Sequence, residues 1–118
     1  PWLIEGAGEF VSGAVSSPAP IDLAKELGGT FIVLVNVMDE SAVKNADNER
    51  FQRAFAPARN LLRLQKRDAN FFIQVNTKGI PFNGFANQGE LLSAGEQAAE
   101  TAVSALKAAW EKAIANQR

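Results

Sequence analysis

With no histidine and no cysteine among its 118 residues, the chain lacks the commonest general base, the Ser-His-Asp triad and the usual zinc and thiolate sites. Any chemistry must rest on carboxylates, lysines or serine hydroxyls. One group of such residues lies around Ser12-Gly13-Ala14, between the apolar pair Phe10-Val11 and the loop Ser16-Ser17-Pro18-Ala19-Pro20, with Glu5, Glu9 and Asp22 nearby. No Gly-x-Ser-x-Gly elbow is present, and Val11-Ser12-Gly13-Ala14-Val15 is not one. A lone serine hydroxyl is a poor proton acceptor near neutral pH, so Ser12 reads first as a polar turn residue before Gly13. Glu5, at the preceding turn, reads as solvated, with reach to the site as the alternative, and Glu9 flanks the segment. Asp22 falls in a first helical turn, where the helix dipole favours a negative charge.

Two further groups have a binding reading beside a structural one. Arg50, Arg53, Arg59, Arg63, Lys66 and Arg67 make the middle of the chain basic, with Glu49 and Asp68 beside them. A solvated helix face is the simpler reading; docking on anionic lipid headgroups, at about 1 kcal/mol per charge, is the alternative. Phe82 and Phe85 fall in a Gly- and Pro-rich loop, where they either plug the loop onto the core or form an apolar lip.

These residues need elements to position them. Trp2-Leu3-Ile4 and Glu9-Phe10-Val11 flank Gly6-Ala7-Gly8, the pattern of two short strands and a tight turn. Pro20 to Leu27 has helix composition, with proline at the first turn and Gly28-Gly29 as the stop. Thr30 to Met38 is a β-branched and apolar run without alternation, which predicts a strand buried on both faces of a parallel sheet. Asp39 to Glu49 reads as a loop. Glu49 to Arg67 has helical spacing, with a break or kink expected at Pro57. Asn70 to Val75 predicts a second buried strand, and Thr77 to Asn87 a loop. Gln88 to Ala115 is the strongest helix, with Leu91, Leu92, Ala99, Val103, Leu106, Trp110 and Ile114 on one apolar face as packing residues. Helix alternating with strand predicts α/β layers with crossover-linked parallel strands.

In their order and spacing these segments resemble the patatin-like phospholipases. Phe10 to Val37 follows the family's pattern of aromatic, Val, Asp-Gly-Gly, Pro-x-Pro-hydrophobic-Asp, a helix ending in Glu-Leu-Gly, and an apolar strand. Ala69 to Ala99 matches its last section: Phe72-Ile73, Gly79-Ile80, Phe85, then Glu90-Leu91-Leu92 and Gly95. The resemblance implies a three-layer α/β fold, related to the α/β-hydrolases, with a mostly parallel sheet, and makes 1–118 the C-terminal segment of a single patatin-like domain. It implies ester hydrolysis by a Ser-Asp dyad on a lipid or acyl ester substrate. Ser12, Gly13 and Ala14 stand at the dyad's Asp-Gly turn, and Ser12 replaces the aspartate. The nucleophile elbow and the oxyanion loop belong to an N-terminal segment, expected as a partner in cis or in trans. No metal or cofactor is implied. A non-catalytic patatin-fold protein that binds lipid or protein is the alternative.

Composition bounds the rest. About half the residues are apolar and net charge is −1, which fits one globular domain with a modest core. There is no global basic field for nucleic acid. No apolar run approaches a bilayer-spanning length, which leaves a cytoplasmic or peripheral membrane location as the expectation. The start at Pro1 reads as mid-domain sequence, as in a fragment or one chain of a larger assembly. Two central strands without neighbours would leave open edges.

Overall fold

The hydrogen-bonding demand of the two most apolar runs organises the molecule. The computed structural model describes residues 2–10, 12–37, 48–80 and 85–116. Its elements, in order, are β1 (Trp2–Ile4), β2 (Gly8–Phe10), α1 (Ile21–Glu26), β3 (Val33–Asn36), α2 (Asn48–Gln65), β4 (Phe71–Gln74) and α3 (Gln88–Ala115), with single 3-10 turns at Gly13–Val15, Lys66–Asp68 and Phe85–Asn87. The fold is mixed α/β. β1 and β2 pair antiparallel, and β3 and β4 form a separate parallel pair. Among the described residues the mostly parallel sheet expected from sequence is one parallel pair. A three-residue connection such as Glu5-Gly6-Ala7 permits only antiparallel pairing, whereas parallel strands need a long crossover.

In the hairpin, Ile4 faces Gly8 and the Ala7 amide donates to the Ile4 carbonyl at 3.0 Å. Gly6, at φ +78, takes the left-handed third position of a type II turn, where a side chain is disfavoured. The second strand runs Gly8–Phe10, one residue earlier than the sequence implies; Val11 lies outside the described residues.

α1 is short and sharply ended. Gly28 donates to the Lys25 carbonyl and Gly29 to the Ala24 carbonyl, both at 2.9 Å, with Gly28 at φ +94. This is a Schellman closure, and it satisfies carbonyls that a helix end otherwise leaves open. Gly29 is constrained differently: an added Cβ would stand 2.7 Å from the Ala24 carbonyl oxygen.

β3 and β4 run in register from Val33↔Phe71 to Asn36↔Gln74. β3 is shorter than Thr30–Met38 because its entry is held from the side. The Asn70 side-chain oxygen accepts the Ile32 N–H at 2.8 Å, while the Ile32 carbonyl accepts both the Asn70 and Phe71 amides. The expectation of a strand covered on both faces fails for β3. Leu34 and Asn36 are half-buried, whereas Val33, Val35 and Val37 are exposed. Phe71, Phe72 and Ile73 of β4 are all half-buried, and Val75 just beyond is buried. Lys66 places its ammonium 3.5 Å from the centre of the Phe72 ring, a cation–π contact that covers one aromatic face.

α2 carries the crossover and contains Pro57 without ending there, so of the break or kink expected from sequence the break does not occur. Pro57 is exposed, so water can stand in for the N–H it lacks. Ala58, Leu61, Leu62 and Gln65 form the helix's buried or half-buried face. α3 packs on β4 and on the turn at Phe85–Asn87. Its buried or half-buried positions are Leu91, Ala94, Gly95, Ala98, Ala102, Leu106, Ala109 and Ala113, while Leu92, Val103 and Trp110 of the expected packing face stay exposed. Small residues let the helix approach the strand, and the larger ones lie a quarter turn away.

Among the described residues the buried apolar core is small: Ala19, Ile21, Ala58, Val75 and Ala94. The accessible surface is 9200 Å², roughly half as much again as the ~6,200 Å² of a typical folded chain of this mass. The radius of gyration, 16.9 Å, likewise exceeds the about 13–14 Å expected.

The two glycine roles are separable by experiment. Gly28→Ala puts a methyl group at φ +94, and urea unfolding is expected to show a loss of about 1 kcal/mol. Gly13→Ala meets nothing within 4 Å and should change stability by less than about 0.5 kcal/mol. Equal effects of the two would refute the Schellman assignment.

Candidate functional site

The turn after β2 is built almost wholly from its own short side chains. Ser12 stands at the N-cap of the Gly13–Val15 turn with φ −56 and ψ 133, and its hydroxyl accepts the Ala14 N–H at 3.3 Å. The Gly13 carbonyl accepts the Ser16 amide at 3.1 Å, the Ser17 amide at 2.8 Å and the Ser16 hydroxyl at 3.2 Å. Serine and asparagine-type side chains favour such local bonds over regular structure, which is why the chain turns here. Ser12, Gly13 and Ala14 are all exposed.

The loop that follows is anchored from a distance. The Gln65 side-chain oxygen accepts the Ala19 N–H at 3.0 Å, and its amide nitrogen donates to the Ser17 hydroxyl at 2.9 Å. Ala19 and Ile21 are buried beside this bond. Gln65 closes α2 shortly before β4, so the serine-rich loop is fixed at the entry to β4. Sequence reasoning missed this anchor. Its one available signal was the position of Gln65 on the apolar face of α2, where a polar residue needs a partner.

The structure does not bring the flanking carboxylates to Ser12. Glu5 occupies the hairpin turn, at the opposite end of β2 from Ser12. Glu9 is exposed on β2, and Asp22 is exposed in the first turn of α1, where it complements the helix dipole. Among the basic residues, Arg53, Arg63, Lys66 and Arg67 are exposed and Arg59 is half-buried. Phe82 lies outside the described residues, and Phe85 opens the 3-10 turn before α3.

A second polar group, also missed, sits at the carboxyl ends of the parallel strands, where open α/β sheets usually hold ligands. The Asn36 amide donates to the Gln74 side-chain oxygen at 2.8 Å, and the Gln74 amide donates to the Asn36 and Val75 carbonyls at 3.2 and 3.1 Å. Beyond it, the Asn76 side-chain oxygen accepts the Lys78 N–H at 2.9 Å, and the Ile80 amide donates to the Thr77 carbonyl at 3.0 Å. Lys78 and Gly79 have φ +53 and +75, the two left-handed positions of a type I′ turn. Thr77 is buried. This group consists of amides, a hydroxyl and a lysine; it can orient a polar ligand but presents no acid–base pair.

Among the described residues no three acidic, histidine or cysteine side chains are grouped to hold a metal ion. Among them, too, no helix is long and apolar enough to cross a membrane. Comparison with family models, with curated proteins and with solved structures yields no match.

The Gln65 anchor is directly testable. Gln65→Ala leaves the Ala19 N–H in a buried loop without its acceptor, and unfolding should show a loss of about 1–3 kcal/mol. Ser17→Ala removes only one bond and should lose less than about 1 kcal/mol. A Gln65→Ala protein as stable as the parent would show that the loop is held by packing alone.

Proposed function

We propose that this chain is the C-terminal part of a patatin-like lipid acyl hydrolase, with the three-layer arrangement completed by an N-terminal segment that carries the nucleophile. The observation that carries the reading is the geometry at residue 12. An aspartate there, at an N-cap facing the Ala14 N–H, could accept the same bond that Ser12 accepts and present its other oxygen outward. The succession of strand, Ser-Gly-Ala turn, Pro-x-Pro loop, helix ending at Glu26-Leu27-Gly28 and apolar strand supports it further.

On this reading Ser12, Gly13 and Ala14 line the dyad turn, and the substrate is a lipid or other acyl ester. A Gly-x-Ser-x-Gly serine on the partner segment attacks the acyl carbonyl. Residue 12 is the position from which its proton is taken, and Ser12 does this poorly. The exposure of Ser12 is consistent with a site that the partner segment covers. Contact with a membrane would be peripheral, through the basic face of α2, and the location cytoplasmic or membrane-associated. No nucleic-acid or cofactor role enters this reading.

The exposed apolar surface favours one other reading, a patatin-fold protein that binds lipid or protein without catalysis. Among the described residues thirteen large apolar side chains are exposed, including Leu3, Leu27, Val37 and Leu92.

Ser12→Asp, made in the full reading frame that encodes this chain, decides between the two. With a short-chain p-nitrophenyl ester, esterase activity is expected to rise by about 10²–10⁴-fold as general-base catalysis is restored. Native mass spectrometry of the same sample should show this chain with an elbow-bearing segment, joined or associated. A folded protein with no gain in turnover would remove the dyad assignment and leave the binding reading.

A further inference from the structure

α3 is far longer than what it packs against. Its 28 residues extend about 42 Å, whereas four-residue β4 extends about 13 Å. Ala94, its one buried residue among those described, lies near the start. In the second half Val103, Trp110 and Ile114 remain 56%, 51% and 37% exposed, and Leu106 between them is half-buried. A tryptophan with half its surface in water is an unusual feature of a helix that has finished packing.

The pattern of this half is specific. Ala99, Val103, Leu106, Trp110 and Ala113 follow one another at alternating intervals of four and three, the seam of a two-stranded coil. One flank of the seam carries Glu100 and Lys107, one heptad apart; the other carries Ala102 and Ala109. In a parallel pair, unlike flanks meet, and Glu100 and Lys107 would face alanines. In an antiparallel pair, like flanks meet. Glu100 then faces Lys107 of the second copy and Lys107 faces its Glu100, while the two alanine flanks allow close approach. The same alignment sets Val103 against Leu106 and Ala99 against Trp110, so the largest side chain meets one of the smallest. Glu96, at the next seam position, bounds the contact. The half-buried row of α3, through Leu91, Ala98, Ala102, Leu106, Ala109 and Ala113, lies about a quarter turn from Val103 and Trp110, so a second copy can cover these two while meeting that row only at its Leu106 edge.

We infer that the second half of α3 is the interface of a symmetric dimer of this chain, formed by antiparallel pairing of two α3 helices across Val103, Leu106 and Trp110. The symmetry is that of a closed two-fold contact, in which each pairing occurs twice. Charge and volume both select this partner and this orientation.

Sedimentation velocity of the whole chain, at micromolar to tens of micromolar concentration, tests it. The expected result is a species of twice the 12.7 kDa chain mass in reversible equilibrium with monomer. Glu100→Lys and Lys107→Glu should each weaken the dimer tenfold or more by setting like charges together, and the double variant should restore it. Trp110→Ala should give monomer with unchanged helical circular dichroism. A parent that stays monomeric throughout overturns the proposal. So does a dimer that survives Trp110→Ala, or one indifferent to both single charge changes, since the first places the contact elsewhere and the second makes it parallel.

Discussion

Parallel pairing of β3 with β4 is the constraint on which the remaining structure depends. Two parallel strands cannot be joined by a turn, so the chain between them must return the length of the pair, and α2 supplies that return. Once α2 is in place, its last residue is delivered to the entry of β4, and Gln65 there captures Ser17 and Ala19. The serine-rich turn is therefore positioned through the crossover, although it lies before the crossover in sequence. Asn70 adds the closing element: it fixes where β3 begins by bonding Ile32 from both its side chain and its backbone.

The same pairing explains the exposed surface. A parallel pair has two faces and two edges. The described helices bury only part of this, and Val33, Val35 and Val37 remain on an uncovered face. A single exposed valine is unremarkable, but a row of them on a parallel strand runs against how such sheets are found. α3 repeats the theme, because its half-buried side is rich in alanine while Leu92, Val103 and Trp110 stay exposed. Both surfaces are of the kind that association covers, and they lie on different elements, so one partner need not account for both.

Much of the fold was legible because its signals are local. Gly28-Gly29 specify a helix stop through backbone geometry that few other residues tolerate, and the Gly6 turn is legible for the same reason. The long α3 was legible from composition and period alone. Burial was not. The run Phe31-Ile32-Val33-Leu34-Val35 reads as doubly covered because hydrophobicity records what a strand can bury, whereas the cover depends on chain elsewhere. Pro57 misled for a related reason: the lost N–H and the ring's clash with the residue 53 carbonyl are a local cost, which the packing of Ala58, Leu61 and Leu62 on the same helix can outweigh. The Gln65 and Asn36–Gln74 bonds were illegible because each joins residues far apart in sequence whose meeting only the crossover determines.

For the candidate site, what the sequence made visible was a turn and what it hid was the setting. Ser12 is held in a defined N-cap geometry, yet it stands in water, and a group in water cannot stabilise developing charge as one in a dry, preorganised site can. Catalysis at this turn therefore requires two changes together: a carboxylate at residue 12 and a surface that excludes water from it. A binding function requires neither, and uses the exposed apolar faces as they are. The two readings thus differ in which part of the molecule must be completed, the turn at Ser12 or the flank of the β3–β4 pair. The Gln65 anchor bears on the first, because a dyad turn needs a fixed position relative to a partner strand, and a bridging amide into a buried loop supplies such fixity with no chemistry of its own.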